Sequence, residues 1–153
     1  MQTSNDQGLW NLFFALFFAA LIAGGMWFIV TVRGELPTSV SFWDAVLVIL
    51  ATFRLTRLFV YDKITQFFRD WFMKTSVVLG DDGVLYMVRE KRVRGPWRTV
   101  SDLLDCPWCT GMWFAFFVPF FYFLTPLSWF PIFILAVGGV ASLLQVIANL
   151  VGW

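Results

Sequence analysis

The sequence predicts an all-α integral membrane protein: a four-helix transmembrane bundle with an interfacial amphipathic helix and a small cytoplasmic β-hairpin. Three observations lead there. Hydrophobic residues make up 59% of the 153-residue chain and charged residues 14%, against roughly 45–50% and about 25% in soluble domains. Aromatic residues reach 20%, with 19 Phe and 9 Trp, more apolar surface than a soluble fold of this size can bury. The charges are also segregated. Residues 9–32 and 106–153 contain no Asp, Glu, Lys or Arg, and of the 11 basic residues all but Arg33, Arg54 and Arg57 lie between Lys63 and Arg98.

Residues 1–8 read as a polar tail. The run 9–32 is the first span, long enough at about 1.5 Å per residue to cross a hydrocarbon core of roughly 30 Å, with Trp10 and Trp27 toward the two interfaces. It lacks the basic leader and small-residue cleavage site of a signal peptide and is read as a retained helix. Gly34, Pro37 and Ser39 make a turn before the second span, 42–61. That span carries Arg54 and Arg57, three apart on one face near its end, where arginine can snorkel to the headgroups.

In 62–74, Ile64, Phe67, Phe68, Trp71 and Phe72 recur at helical spacing opposite Asp62, Lys63, Gln66, Arg69, Asp70 and Lys74, the pattern of an amphipathic helix lying in the membrane interface. Residues 75–105 follow as a hairpin and basic segment. Two β-prone runs, 76–79 and 84–88, flank Gly80-Asp81-Asp82-Gly83. Arg89, Lys91, Arg92, Arg94 and Arg98 then stand against Glu90 alone. The uncharged remainder is divided by Thr125-Pro126-Leu127-Ser128 into a third span, 107–124, and a fourth, 129–151, with Pro119 expected to kink the third. The basic residues between the second and third spans put that segment in the cytoplasm, and four spans put both termini there too.

Four groups of residues are candidates for function. Cys106-Pro107-Trp108-Cys109 opens the third span, where the helix N-terminus favours a thiolate. The pair can cycle between dithiol and disulfide, supply half of a zinc site that a dimer would complete, or simply start and pack a helix. With no histidine in the chain, a His-based triad or a His-ligated metal within one chain is excluded. The second group is an intramembrane charge cluster of Arg54, Arg57 and Asp62, with Asp102 and Asp105 as further counter-ions, since charges in a span need partners. The alternatives for it are snorkelling or an ion pathway. The third is the basic segment Arg89, Lys91, Arg92, Arg94 and Arg98, suited to anionic lipid headgroups rather than to nucleic acid. The fourth is a stripe on the last span, Gly138, Ser142, Gln145 and Asn149, matched by a ridge of Ala15, Ala19 and Ala23 on the first. Both have the composition of helix-packing faces, within the bundle or between copies.

Ala51-Thr52-Phe53-Arg54-Leu55-Thr56-Arg57-Leu58 leading to Asp62-Lys63 and Arg69, followed by Cys106-Pro107-Trp108-Cys109-Thr110-Gly111 and Trp113, resembles a family of small membrane proteins known as domain of unknown function 1360. The resemblance covers residues 44–149 and leaves the first span outside. It implies a multipass protein of a bacterial cytoplasmic membrane or of a phage-infected host. For some members it implies an association with sporulation. For a phage-encoded member it would imply a role in infection or lysis. It brings with it no established activity. The lack of a complete catalytic constellation and the helix-packing stripes lead to the expectation of a non-enzymatic protein, without a cofactor, that assembles with itself or a partner in the membrane. The alternatives are a thiol protein, redox-active or metal-linked, and a holin-like or lysis-accessory protein.

Overall fold

The structure, a computed structural model, describes residues 3–37, 39–79, 85–91 and 95–152. The described residues form six α-helices and one two-stranded sheet, in the order α1 (Thr3–Arg33), α2 (Phe42–Val60), α3 (Gln66–Phe72), β1 (Lys74–Leu79), β2 (Leu85–Glu90), α4 (Pro96–Asp105), α5 (Pro107–Leu124) and α6 (Trp129–Val151). Among them, three helical stretches are long and apolar enough to cross a membrane: Gln7–Arg33, Pro107–Leu124 and Pro126–Val151. Most of their side chains face outward, which places an apolar surface where a soluble protein would present a polar one.

The uncharged run of the first span makes α1, which begins at Thr3 and so takes in most of the expected tail. It ends where Gly34 adopts a left-handed φ of 83° and donates its N–H to the Val30 carbonyl, with Arg33 at the negative end of the helix dipole. Helix α2 starts after an extended Ser41 and carries Asp44 in its first turn, where the dipole favours a carboxylate. Helix α5 runs from Pro107 to Leu124 with Pro119 inside it.

Ring contacts fix the helix directions. Phe18 meets Trp113, and Phe28 meets Phe120 further along, so α1 and α5 run parallel. Phe59 of α2 meets Phe114 while Asp44 reaches Tyr122, so α2 runs against α5, and α6 lies parallel to α2. One end of the bundle therefore gathers the start of α1, the end of α2, the start of α5 and the end of α6, together with α3, the sheet and α4. Exposed tryptophans mark both ends: Trp10, Trp71, Trp97 and Trp108 at this one, and Trp27, Trp43 and Trp129 at the other. This is the placement favoured at a membrane–water boundary.

The helix that fails the apolar criterion is the one most enclosed. Asp44, Arg54 and Arg57 make α2 too charged to count as an apolar span, yet it packs most extensively against α6 and α5. Its Ala51 is fully buried with Val118, Ile132 and Ala136. A Cβ on Gly139 would lie 2.5 Å from the Leu50 carbonyl oxygen and 3.2 Å from its carbon, so the α2 and α6 backbones meet at a distance only glycine permits. On α2, Thr52 and Thr56 donate their hydroxyls to the carbonyls of Val48 and Thr52, each at 2.8 Å. Those polar groups are thereby satisfied within the helix.

Residues 62–74 do not form one amphipathic helix. Asp62 is extended, 63–65 form a 3-10 turn, and only Gln66–Phe72 is α-helical. The expected apolar face is split: Phe68 and Phe72 turn inward onto Phe59 and Trp97, while Ile64, Phe67 and Trp71 stay exposed. The cause is the end of α2. Arg69 donates to the carbonyls of Val60 and of Asp62, the latter at 3.0 Å, and the Thr65 hydroxyl donates to that of Leu58. These bonds satisfy carbonyls that the helix end leaves open and fold the following chain back onto it.

The strands pair antiparallel from Lys74 opposite Glu90 to Leu79 opposite Leu85, slightly beyond the expected runs. The Gly80-Asp81-Asp82-Gly83 turn lies outside the described residues. Residues 96–105, expected as part of a basic segment, form α4 instead. Gly95, with φ 95°, and Pro96 at the first helical position start it, and Thr99, Ser101 and Leu104 make its buried face.

The α2–α6 contact predicts its own test. Gly139→Leu must push the two backbones apart and should cost about 3 kcal/mol, lowering the thermal unfolding midpoint in detergent. Gly24→Leu, in a position with nothing within 4 Å, should leave the midpoint within a few degrees.

Candidate functional site

The candidate residues converge on the end of the bundle that holds α3, the sheet and α4, in three groups. The first is the cysteine pair. Helix α4 stops at Asp105, and Cys106 takes an extended conformation (φ −99°, ψ 106°) as the cap of α5, with Pro107 at the first helical position. The turn brings the Cys109 N–H to the Cys106 sulfur at 3.3 Å and the two sulfurs to 2.7 Å, with the Cys109 thiol donating. Cys106 is half-buried and Cys109 exposed, and neither is a core packing residue. The Cys109 thiol, aided by the Cys109 and Trp108 backbone N–H groups, holds the Cys106 thiol below its usual value of 9.0 against a smaller opposing effect of burial. The arrangement can supply a reactive thiolate, a reversible disulfide or two sulfur ligands. Among the described residues, no three His, Cys, Asp or Glu side chains gather as a metal site.

The second group is the charge cluster, which the structure divides. Arg54 pairs with Asp62 at 3.0 Å. The Arg57 guanidinium lies over the rings of Phe53 and Tyr61, 5.9 and 5.5 Å from their centroids. Asp102 and Asp105 belong elsewhere: both bind Lys91, at 2.9 and 2.8 Å, and Asp102 also faces Arg98 at 3.6 Å. The formation of α4 accounts for this, because it presents Asp102 and Asp105 together to the exit of β2. The same contacts draw Lys91 and Arg98 out of the expected lipid-facing set and into ion pairs. The bonds to Asp105 and Asp102 raise the Lys91 amine above its usual 10.5. A raised amine stabilises the fold fully below the unfolded value, and the gain is lost only as pH rises through the folded one, so this tie holds throughout the neutral range. Arg92 and Arg94 lie outside the described residues.

The third group is the stripe on α6. Gly138, Ser142, Gln145 and Asn149 face α2 of the same chain, where with Arg54, Arg57 and Asp62 they line a cleft of about 430 Å³. A Cβ on Gly138 would lie 3.5 Å from the Arg54 side chain, so this glycine makes room for an arginine, while Gly139 makes the helix contact. Ser142 donates to the Gly138 carbonyl at 2.8 Å, and Gln145 donates to the Asn149 side-chain oxygen at 3.2 Å. The alanine ridge of α1 behaves differently: Ala15, Ala19 and Ala23 are exposed, and Gly25 and Ile29 are buried instead.

Sequence reasoning missed several of these partners. Thr99 of α4 accepts from Gln7 at 2.7 Å and donates to Asn11 at 3.2 Å, tying α1 to the rest of the chain. Tyr122 donates to Asp44 at 2.7 Å. Arg69, which reads in the sequence as one cation among many, caps α2. The stripe of Gly138, Ser142, Gln145 and Asn149 signalled a packing face on α6 but named neither Gly139 nor α2 as the contact.

Comparison with known proteins agrees in extent with this architecture. The family model described as "Protein of unknown function (DUF1360)" matches residues 47–148, from within α2 to within α6 and without α1. Over 106 residues the chain is 40% identical to UPF0713 protein YngL of Bacillus subtilis (strain 168), covering 69% of this chain and 78% of the relative. It is 32% identical over 106 residues to Sporulation protein YjcA of the same organism, covering 68% of this chain and 89% of the relative. No solved structure matches the chain significantly.

The cysteine geometry predicts that the pH profile for alkylation of Cys106, read by peptide mass spectrometry, has its midpoint below 9.0. Cys109→Ala removes the donating thiol and should move that midpoint upward.

Proposed function

The chain belongs to the DUF1360 family of proteins of unknown function, and from that premise we propose that it is a non-enzymatic four-span protein of the bacterial cytoplasmic membrane. On this reading both termini and the basic end face the cytoplasm, and the protein works by assembling with itself or with a partner. The observation that carries the reading is the position of α2. At 19 residues it is about 28 Å long. It lies between the two tryptophan levels and is wrapped by α5 and α6, with Asp44 bound to Tyr122 and Arg54 to Asp62. Charged groups that are partnered inside a bundle are compatible with a lipid surround. The basic residues gathered at one end supply the orientation.

Two features support assembly over catalysis. The acidic side chains that could serve as acids or bases at the α4 end are held in ion pairs with Lys91. The small-residue ridge of α1 faces outward on a helix at the bundle's edge, as helix–helix association in lipid favours. The name of one relative links that protein to sporulation, and sporulating cells are the setting in which to seek this chain's partner. The span count has a direct test. With four spans, epitope tags at the N- and C-termini are protected on the same side of the membrane and are digested only after the cytoplasmic face is opened. Tags on opposite faces would mean three spans, with α2 outside the membrane.

A second reading is favoured by the exposed cysteine pair. Cys106 and Cys109 meet at a helix start with the acidity of Cys106 enhanced, which suits a thiol that responds to redox state or shares a zinc ion with a second copy. Its support would come from the alkylation profile above and from an oxidant-dependent disulfide in acid-trapped cells.

A further inference from the structure

The cleft between the end of α2 and the end of α6 holds more positive charge than its own carboxylate balances. Arg54 and Asp62 neutralise one another at 3.0 Å. Arg57 faces only the Phe53 and Tyr61 rings, and among the described residues no carboxylate pairs with it. A guanidinium beside a membrane-spanning helix is costly without an anion or water to receive its five donors. Across the cleft, Gln145 and Asn149 bring solvent-accessible amide groups to the last two turns of α6, where apolar residues would otherwise be expected. Gly138 keeps the floor low enough for Arg54 to lie along it.

We propose that this cleft is a binding site for the phosphate headgroup of an anionic membrane phospholipid, with Arg57 as the principal cation and Gln145 and Asn149 as hydrogen-bonding partners of the headgroup. The proposal rests on the reading that α2 and α6 span the membrane. The cleft has about 430 Å³ for a headgroup and is lined by the last turns of α2 and α6, at the end of the bundle that carries the basic residues. Leu144, Ile147 and Leu150, exposed on the same stretch of α6, and Ile64 and Phe67 beyond the end of α2 offer apolar surface to the acyl chains. A planar fork of donors matches phosphate oxygens better than a point charge does. Asp62 would repel a phosphate, but its charge is already engaged by Arg54.

Native mass spectrometry of the detergent-solubilised full chain, titrated with phosphatidylglycerol or phosphatidylcholine, tests this. The intact chain should retain phosphatidylglycerol in preference to phosphatidylcholine. Arg57→Gln should weaken phosphatidylglycerol binding about tenfold or more. Arg98→Gln, which removes the same charge from α4 at the same end, should weaken it by less than about twofold. Equal binding with and without Arg57, or equal losses in the two variants, would overturn the proposal in favour of diffuse attraction. Displacement of the lipid by millimolar inorganic phosphate would overturn it in favour of a free-anion site. Protease protection of terminal tags tests the membrane reading separately: tags on opposite faces fail that reading, whereas tags on one face with binding indifferent to Arg57 fail this one.

Discussion

The structure depends on how α2 satisfies its polar side chains. Lipid offers no hydrogen bonds, so each charge on a spanning helix needs a partner from the protein or the headgroups. Helix α2 meets that demand within the chain for Asp44 and Arg54, while Arg57 lies over the Phe53 and Tyr61 rings. Tyr122 of α5 donates to Asp44 near its start, and Asp62, just past its end, neutralises Arg54. Arg69 and Thr65 fold back to cap its last carbonyls. The uncharged helices α5 and α6 can then pack against it, and the close approach of Gly139 to Leu50 sets the spacing of the bundle. The most charged of the long helices is thus the central element of the bundle.

This explains what could be read in the sequence and what could not. The bounds of helices α5 and α6 were legible to the residue, because Pro107 and the Thr125-Pro126 break are local signals that act through backbone geometry. The hairpin was legible for a similar reason, through β-prone runs on either side of Gly and Asp. Helix α4 was not. Its Gly95-Pro96 start was visible, but five basic residues nearby drew attention to charge, and Thr99 and Ser101 on the buried face hid its amphipathic character. The split face of α3 was hidden for a different reason. Periodicity assigns Phe67 and Phe68 to one broad face, and only the return of Arg69 to α2 decides which of them turns inward.

The candidate site shows the same division. Spacing alone placed Cys106 and Cys109 together, since a helix start fixes their separation. It also placed Gly138, Ser142, Gln145 and Asn149 on one face. Spacing could not say that this face meets Arg54 and Arg57, because that is a contact between helices distant in sequence. Nor could it pair Asp102 and Asp105 with Lys91 rather than with α2. Helix α1 stands apart in a further sense. It lies outside the matched family region and is held at its start by hydrogen bonds of Gln7 and Asn11 with Thr99 and further along by the Phe18–Trp113 contact. It is an addition docked on a core that already contains the charge pair, the cysteine pair and the cleft.

The central claim, that α2 is held in the bundle by charges neutralised within the chain, is tested most directly by a double-mutant cycle of Arg54→Met and Asp62→Leu, read by thermal unfolding in lipid nanodiscs. Both partners are partly exposed, at 27% and 30%, so their coupling lies between that of a surface pair and that of a buried one, about 1–2 kcal/mol. The account predicts that each single change lowers the unfolding midpoint and that the double change recovers some of the loss, because neither member of the pair is then left without the other. Additive losses would mean that the two charges act independently, and would contradict it.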